Sequence, residues 1–376
     1  MLRRTNIIRL TALVFLAILF LSILEVGSFL LSKTLARYGV FYDPQPVEGY
    51  EEYLAQNDRR LGWVPSEDGV EVDEAGSRTI KNFPDWSDAC VSVYGNSFTW
   101  GSEVSAEESW PSLLSDTLTC RVNNFGVPGY GTDQALLRFE GNKDVDKAPI
   151  VILVHVSENI MRNVNQYRHL LYPGANFQFK PRFKIHDDQL ELIPIPKIAS
   201  SEIEKAFEKP NSFFQDEYFL PEGDSGNQYI KFPFLFGLIS AINHFHIRSK
   251  ILGIPWYTEF YQRDHASNAL ELTKLIFERF VRSATEMGKK PIVVIMPTGL
   301  DLEFFQEHGT WPFQPFLEWL KQSDITFINL SRKIAVSLKG ENPCHLFRSC
   351  NAHYNAEGNK VVAKAFFEFL HGTHIE

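Results

Sequence analysis

The chain has few basic residues relative to its acidic ones, few cysteines and no repeated segment. Lysine and arginine together number 37 against 46 aspartates and glutamates, which gives a formal net charge of −9. Such a chain is not built to neutralise phosphates, so we predict no nucleic-acid partner. Its 376 residues, 44% of them hydrophobic, are enough for one large domain or two modest ones with a sizeable core.

Signatures of cofactors and metals are missing as well. No Gly-x-Gly-x-x-Gly motif follows an apolar run, and "GVPGYG" at 126–131 has the wrong spacing for a dinucleotide site. His345 and His353 do not complete a recognised zinc spacing with the cysteines. We therefore predict neither a cofactor nor a metal site.

The longest run without charge lies near the N-terminus. Residues 10–24 carry no charged side chain, and the apolar character continues to Leu31, interrupted by Glu25. About 20 apolar residues cross a bilayer as a helix, and arginines ahead of the run favour a cytoplasmic N-terminus. A cleaved signal peptide is the alternative, but its apolar part is normally shorter and ends at small residues. We predict that residues 1–33 form a cytoplasmic tail and a single-pass anchor in the inner (cytoplasmic) membrane. The remaining chain would lie in the periplasm or outside the cell.

Export affects how the four cysteines are interpreted. Cys90 precedes one apolar run and Cys120 precedes the next, so the two would lie side by side if those runs form neighbouring strands. Cys344 and Cys350 flank a short loop. Both pairs could form disulfides, although four cysteines allow three pairings, and Cys90 and Cys120 could also be buried thiols.

Beyond the anchor, the chain divides by pattern into two parts. Residues 34–89 contain turn residues and acidic patches with little periodicity, which is typical of a stalk and an irregular lead-in region. Over residues 90–376, apolar runs alternate with amphipathic helical patterns, which predicts a three-layer α/β/α (flavodoxin-like) domain around a parallel five-stranded sheet. An aromatic and proline-rich interval at about 160–260 interrupts the pattern as an insertion or lid. The predicted strands are 91–95, 121–127, 149–157, 290–297 and 325–331, and the predicted helices are 109–118, 132–140, 266–288, 311–323 and 355–372.

Polar residues and glycines follow these strands at the sheet edge where parallel sheets form their sites. Ser97 follows the first strand, Gly129 the second and Asn159 the third, while His353 precedes the last helix. Histidine can take the proton of a serine hydroxyl and so activate it as a nucleophile. We therefore predict Ser97 as the nucleophile and His353 as its base. The N–H groups of Ser97 and Gly129 and the amide of Asn159 are the predicted oxyanion donors.

Taken in order, these residues resemble the sequence blocks of the SGNH (GDSL-type) serine hydrolase superfamily. "GNS" at 95–97 matches the Gly-Asp-Ser block, Gly129 and Asn159 match its oxyanion glycine and asparagine, and "CNAH" at 350–353 matches its Asp-x-x-His block. The stretches "LGWVP", "GYGTDQ" and "ENIMRN" are similar to membrane-anchored members found with bacterial surface-polysaccharide genes. The resemblance implies an esterase or O-acyltransferase that works through an acyl-serine. Its expected substrate is an acylated, in particular O-acetylated, cell-surface or exported polysaccharide, which is an ester-bearing carbohydrate.

Three positions depart from the family pattern. Asn96 replaces the usual aspartate, which is not the nucleophile, and Glu158 stands where glycine is common. Cys350 stands where the family has the aspartate that orients His353. That role would fall to Asn351, to a backbone carbonyl or to a carboxylate of the insertion, unless a Ser–His dyad is sufficient. Cys350 and Glu158 support an alternative function, a non-catalytic glycan-binding or assembly protein with a degenerate hydrolase site.

Polar residues around Asn159 are candidate substrate contacts. Glu158, Arg162 and Asn163 are close enough in sequence to flank the same pocket. Arg162 and Gln166 are four residues apart, so one helical face could carry both. A solvated helix face is the other interpretation of this cluster.

Overall fold

The structure of the protein is a computed structural model that describes residues 2–65, 72–175 and 177–372, with backbone only for residues 2–6. Part of the predicted lead-in region, residues 66–71, lies outside these ranges. The chain divides into two compact units. The first comprises Met1–Glu51, Tyr167–Gln178 and Ile198–Leu252, and the second comprises Glu52–Gln166, Phe179–Lys197 and Gly253–Glu376. All predicted site residues belong to the second unit.

The second unit is built on a parallel sheet of five strands. The strands are β1 (Ala89–Tyr94), β2 (Arg121–Asn124), β3 (Ile150–Val156), β4 (Lys290–Met296) and β5 (Phe327–Asn329). Their order across the sheet is β2-β1-β3-β4-β5, and every neighbouring pair is parallel. This is the flavodoxin-like order, in which a crevice forms beyond the carboxyl ends of β1 and β3 because the strand order reverses there.

The two longest strands of the sheet are buried almost throughout. In β3 every residue from Val151 to Val156 is buried, and in β4 the same holds from Ile292 to Met296. Strands covered on both faces are continuous apolar runs. This explains why these two strands match their predicted ranges most closely.

Helices form two layers around the sheet, as predicted. Trp110 and Phe366 stack with ring centroids 4.3 Å apart and join the helices that contain them. Phe139 and Phe280 join a second pair of helices by an edge-on contact at 5.0 Å. The three-layer α/β/α prediction is therefore confirmed. The helices of this unit are Ser97–Trp100, Trp110–Leu118, Thr132–Gly141, Asn159–Arg162, Ala269–Glu286, Gly299–His308, Gln314–Gln322, Leu330–Ser337 and Ala356–Leu370, and a hairpin is formed by Arg182–His186 and Gln189–Ile193.

Four of the helices named above lie outside the predicted helical ranges, namely Ser97–Trp100, Asn159–Arg162, Gly299–His308 and Leu330–Ser337. Each starts almost directly after a strand. The side chain of Asn329, the last residue of β5, accepts a hydrogen bond from the Ser331 N–H. That contact ends the strand and caps the helix within the segment predicted as strand alone.

All four cysteines form disulfides, Cys90 with Cys120 and Cys344 with Cys350. The first bond joins Cys90 in β1 to Cys120, the residue directly before β2, and β1 pairs with β2. The predicted possibility of two disulfides between sequence neighbours is confirmed. The alternative of buried free thiols is wrong, because the adjacent strands bring the two sulfur atoms into bonding contact.

The first unit contains helix Leu2–Ala36. Within the described residues it supplies the one helix long and apolar enough to cross a membrane, Ile7–Ala36, and the apolar stretch is not buried in the protein. Ala36 and Phe41 pack on Ala241 in a small core. This unit also contains the α-helices Tyr50–Gln56 (which continues into the second unit), Ile203–Glu208, Phe234–Ser240 and Phe245–Leu252, and strand Phe41–Tyr42 paired with Gln228–Tyr229.

Candidate active site

Ser97 lies just beyond β1 at the start of a helix of four residues. Asn96 caps this helix, because its Oδ1 accepts a hydrogen bond of 2.9 Å from the Phe98 N–H. A Cβ at Gly95 would lie 2.1 Å from Oγ1 of Thr99, so the turn requires glycine at that position. The nucleophile candidate is thus held by the end of a buried strand and a capped turn.

His353 contacts Ser97 directly. The His353 Nε2 lies 2.7 Å from the Ser97 Oγ, which is hydrogen-bond distance for proton transfer. The Phe98 ring packs against the imidazole with centroids 5.0 Å apart. The neighbouring Tyr354 is fixed by its hydroxyl, which donates to the Pro297 carbonyl at 2.7 Å. The structure therefore brings together two residues that are 256 positions apart in the sequence.

The other imidazole nitrogen faces a carboxylate. Oε1 of Glu103 lies 3.3 Å from Nδ1 of His353. Nδ1 is buried and makes no aligned hydrogen bond within the described part of the chain. Glu103 is in the loop that follows the nucleophile helix, so this carboxylate comes neither from the predicted insertion nor from the last block of the sequence.

Asn159 lies beyond β3 and is joined to Asn96 beyond β1. The Asn96 Nδ2 donates to the Asn159 Oδ1 at 2.9 Å. The Asn159 Nδ2 is buried and has no hydrogen-bond partner among the described residues. Because the amide oxygen of Asn159 is engaged and its nitrogen is not, the nitrogen is available to donate a hydrogen bond to a bound molecule.

The turn before Asn159 is fixed by a buried carboxylate. Asp301 accepts hydrogen bonds from the Ser157 hydroxyl, from the Thr298 N–H at 2.7 Å and from the Tyr257 hydroxyl at 2.7 Å. Burial raises the pKa of Asp301 from its usual 3.8 to about 6. This carboxylate thus ties the end of β3 to the start of helix Gly299–His308.

A second buried chain of hydrogen bonds reaches the same turn. The Tyr261 hydroxyl donates to the Ser157 carbonyl at 2.6 Å, so its oxygen accepts from the His155 Nε2 at 2.8 Å. The Nδ1 of His155 then accepts from the Thr132 hydroxyl, also at 2.8 Å. Burial lowers the pKa of His155 to about 3, so the ring is neutral, as this pattern of donors requires.

Gly129 lies in the loop beyond β2 with φ of 87°, a left-handed conformation that favours glycine. The Val127 N–H donates to the Gly95 carbonyl at 3.1 Å, which places this loop beside the nucleophile turn. Trp63 of the lead-in region supports the loop, because its Nε1 donates to the Pro128 carbonyl at 2.9 Å. The Tyr130 hydroxyl in turn donates to the Trp63 carbonyl at 2.5 Å.

The three candidate substrate contacts, Glu158, Arg162 and Asn163, differ in their surroundings. Glu158 and Arg162 form an ion pair, and Arg162 also donates to the Tyr130 carbonyl at 3.1 Å. Asn163 is fully buried. Its Oδ1 accepts from the Thr132 N–H at 3.0 Å and its Nδ2 donates to the Thr273 hydroxyl at 2.9 Å. Its side chain therefore holds the start of a helix, and we do not propose it as a substrate contact.

Cys350, the residue predicted from sequence to depart from an Asp-x-x-His pattern, is occupied by its disulfide to Cys344. A Cβ at Gly299 would lie 2.5 Å from the Cys350 carbonyl oxygen, so this loop packs closely on the start of the helix after β4. Glu303 lies near both sulfur atoms, but sulfurs bonded to each other are not available as thiolate ligands.

Comparisons with known proteins give few matches. No protein-family model and no curated protein matches the sequence. Among solved structures, the chain is similar to a protein described as lipolytic, of the G-D-S-L family, from Desulfitobacterium hafniense DCB-2, with 14% identity, TM-score 0.36, and 73% of this chain and 96% of that chain covered. It is also similar to a member of the lipolytic protein G-D-S-L family from Veillonella parvula DSM 2008, with 10% identity, TM-score 0.35, and coverage of 76% and 98%. Similarity at this level bears on neither reaction nor substrate.

Two residues that position other site residues, Glu103 and Asp301, are not predicted from the sequence. Glu103 belongs to the acidic stretch "SEVSAEES", in which no spacing distinguishes one glutamate from another. Asp301 does carry a signal, since Thr298 and Asp301 form a reciprocal capping box at a helix start. That signal predicts the helix but not the hydrogen bond to Ser157, which is 144 residues away.

Proposed function

We propose that the protein is a serine esterase or O-acyltransferase of the SGNH (GDSL) type. The observation that carries the proposal is the 2.7 Å contact between the Ser97 Oγ and the His353 Nε2. A serine hydroxyl hydrogen-bonded to histidine at the carboxyl edge of a parallel sheet is the arrangement of an activated nucleophile. The unpaired Asn159 Nδ2 adds the donor that acyl transfer needs.

The reaction begins when Ser97 attacks an ester carbonyl. The Ser97 Oγ forms a bond to the carbonyl carbon while its proton passes to the His353 Nε2. The negative charge that develops on the carbonyl oxygen is taken up by the N–H groups of Ser97 and Gly129 and by the Asn159 amide. Collapse of this intermediate breaks the bond to the alcohol, which leaves with the proton from His353, and produces acyl-Ser97.

The second half of the reaction repeats these roles. His353 takes a proton from the incoming hydroxyl, whose oxygen bonds to the acyl carbon. The Ser97 oxygen leaves and recovers the proton. Water as the incoming group yields a free acid, which is esterase activity. A sugar hydroxyl yields a new ester, which is O-acyltransferase activity.

The proposed substrate is an acylated, in particular O-acetylated, cell-surface or exported polysaccharide. The similarity of "LGWVP", "GYGTDQ" and "ENIMRN" to membrane-anchored, polysaccharide-associated proteins supports this class. Helix Ile7–Ala36 supports an anchor in the inner membrane, with the second unit on its outer side. Two disulfides fit an oxidising compartment such as the periplasm.

One observation favours a second candidate function. Cys350 replaces the family's aspartate and is bonded to Cys344. A chain that had lost catalysis but kept the pocket would be a glycan-binding or assembly protein. Labelling with a fluorophosphonate distinguishes the two, because only an activated serine reacts with the probe.

The test uses the full chain in detergent with p-nitrophenyl acetate. Ser97→Ala should abolish release of p-nitrophenol and labelling by the fluorophosphonate. Ser105→Ala, an exposed serine of the following loop, is the matched control and should keep both. Equal turnover by Ser97→Ala and the unsubstituted chain would refute the mechanism, and absence of labelling at high probe concentration would favour the binding protein.

A further inference from the structure

We infer that Glu103 orients His353 and takes the role of the aspartate that this chain lacks at Cys350. The inference rests on the proposed function, in which His353 is the general base. It assigns a positioning residue, since Glu103 acts on the substrate only through the imidazole.

The geometry of the imidazole supports this assignment. For Nε2 to accept the Ser97 proton, the ring must carry its own proton on Nδ1. The atom next to Nδ1 is Oε1 of Glu103, at 3.3 Å. A carboxylate in that place favours the required tautomer and stabilises the imidazolium that forms during the reaction. Catalytic hydrogen bonds are often long before substrate binds and shorten in the complex.

Other groups do not compete for this place. Within the described ranges, Nδ1 of His353 has no hydrogen-bond partner, so neither the Asn351 side chain nor a backbone carbonyl takes the role. Among the described residues, Glu103 is also the one carboxylate within ion-pair distance of the His353 imidazole. The sulfur of Cys350 is bonded to Cys344 and carries no charge.

The loop that carries Glu103 is fastened to the nucleophile. The N–H groups of Gly101 and Ser102 both donate to the Ser97 carbonyl at 3.0 Å. Glu103 itself has a left-handed φ of 71°, a conformation that glutamate rarely adopts. The nucleophile turn and the carboxylate therefore form one short segment, from 97 to 103, with a defined shape.

A buried arginine also forms hydrogen bonds to the backbone of this loop. The Arg78 guanidinium donates to the carbonyls of Trp100 at 2.7 Å, Gly101 at 3.1 Å and Val104 at 3.1 Å. Arg78 is buried, so these bonds are shielded from water and restrict the loop on both sides of Glu103. These contacts fix the backbone position from which the Glu103 carboxylate faces the histidine.

Two substitutions separate the charge of Glu103 from its shape. Glu103→Gln keeps the size and removes the charge, whereas Glu103→Asp keeps the charge on a shorter side chain. If the Glu103 carboxylate positions His353, kcat should be highest for the unsubstituted chain, lower for Glu103→Asp and lowest for Glu103→Gln. For Glu103→Gln we expect a loss of roughly 10²-fold with KM little changed, since an acid buried more deeply in such a triad contributes about 10⁴-fold. A purely structural role predicts that the glutamine, which is closer in shape, is tolerated better.

The experiment measures kcat and KM for p-nitrophenyl acetate and the rate of fluorophosphonate labelling, on the full chain in detergent. Glu107→Gln is the matched control, because Glu107 is in the same loop and pairs with Lys81 on the surface; it should behave as the unsubstituted chain. The inference fails if Glu103→Gln keeps the unsubstituted kcat or exceeds Glu103→Asp, while Ser97→Ala remains inactive. Should Ser97→Ala be active, the proposed function itself fails.

Discussion

Asn96 donates its side-chain amide to the side-chain oxygen of Asn159, with 2.9 Å between Nδ2 and Oδ1. Both residues are fully buried. The Asn96 oxygen is already engaged in capping the Phe98 N–H, so its nitrogen must be the group that faces Asn159. The bond thereby fixes which atom of the Asn159 amide remains unpaired, and that atom is the donor Nδ2.

The first prediction concerns this pair. Asn96→Asp replaces the amide by a carboxylate, which has no donor for the Asn159 oxygen. The Asn159 amide should then turn its Nδ2 toward position 96 and away from the oxyanion. We expect kcat for p-nitrophenyl acetate to fall by roughly 10²-fold with KM little changed.

A double-mutant cycle provides the control. Asn159→Ala should lower kcat by a similar factor, and the double variant should be no worse than either single one, because both remove the same donor. Additive losses, or an Asn96→Asp variant with the unsubstituted kcat, would contradict the coupling.

The second prediction is a pH dependence of stability from Asp301. Its pKa is about 6 in the folded protein against an ordinary 3.8, because burial disfavours the charged form. The protonated carboxyl therefore contributes stability that is fully present below pH 3.8 and is lost as the pH rises through 6. The loss amounts to about 3 kcal/mol.

Asp301→Asn removes this titration. An amide nitrogen also replaces one of two acceptor oxygens, so the variant should be less stable at every pH. The difference in unfolding free energy between the unsubstituted chain and the variant should be about 2 kcal/mol larger at pH 4 than at pH 7. Guanidinium denaturation followed by tryptophan fluorescence measures it, and a difference independent of pH would count against the raised pKa.

The third prediction tests the hydrogen-bond chain through Tyr261. Tyr261→Phe leaves the His155 Nε2 and the Ser157 carbonyl without partners in a buried site. We expect a loss of roughly 2–4 kcal/mol in unfolding free energy. A fall in kcat of about tenfold should accompany it, because the turn before Asn159 loosens.

Tyr94→Phe is the matched comparison for Tyr261→Phe. The Tyr94 hydroxyl donates to Asp146 at 2.9 Å, a residue just before β3. This variant should lose stability while kcat stays nearly constant. If both variants change kcat equally, the effect of Tyr261 is one of general stability and not of the turn.

The sequence predicts the structure best where a single physical requirement, such as burial on both faces of a strand, decides which residue types can occur. Continuous apolar runs are required by strands covered on both faces, so β3 and β4 are predicted nearly to their ends. A glycine, a serine and an asparagine just beyond strands indicate a site, because parallel strands align their carboxyl ends.

Side chains that meet only through the fold are not predictable in this way. Glu103 faces His353 from a loop 250 residues earlier in the chain, and its place depends on a left-handed backbone position and on hydrogen bonds from the Arg78 guanidinium to the loop carbonyls. Neither feature leaves a periodic signal. The disulfide partners are an intermediate case, since strand adjacency suggested one pair while the spacing alone allowed three pairings.

The last prediction contrasts the two disulfides. Cys90–Cys120 closes a separation of 30 residues and Cys344–Cys350 one of 6. Because a cross-link restricts the unfolded chain more when its loop is longer, replacing both members of the first pair by serine should lower the unfolding free energy by roughly 4 kcal/mol. The same replacement in the second pair should lower it by roughly 2 kcal/mol.

Activity should respond in the opposite order. The loop closed by Cys344–Cys350 ends three residues before His353 and packs on Gly299, so opening this disulfide should loosen the imidazole and lower kcat. The Cys90–Cys120 disulfide lies at the starts of β1 and β2, away from their carboxyl ends, so opening it should affect kcat less. Melting temperature and kcat are measured on both double variants, and each variant is the control for the other. An unchanged kcat after opening Cys344–Cys350 would show that this disulfide does not help to hold the histidine.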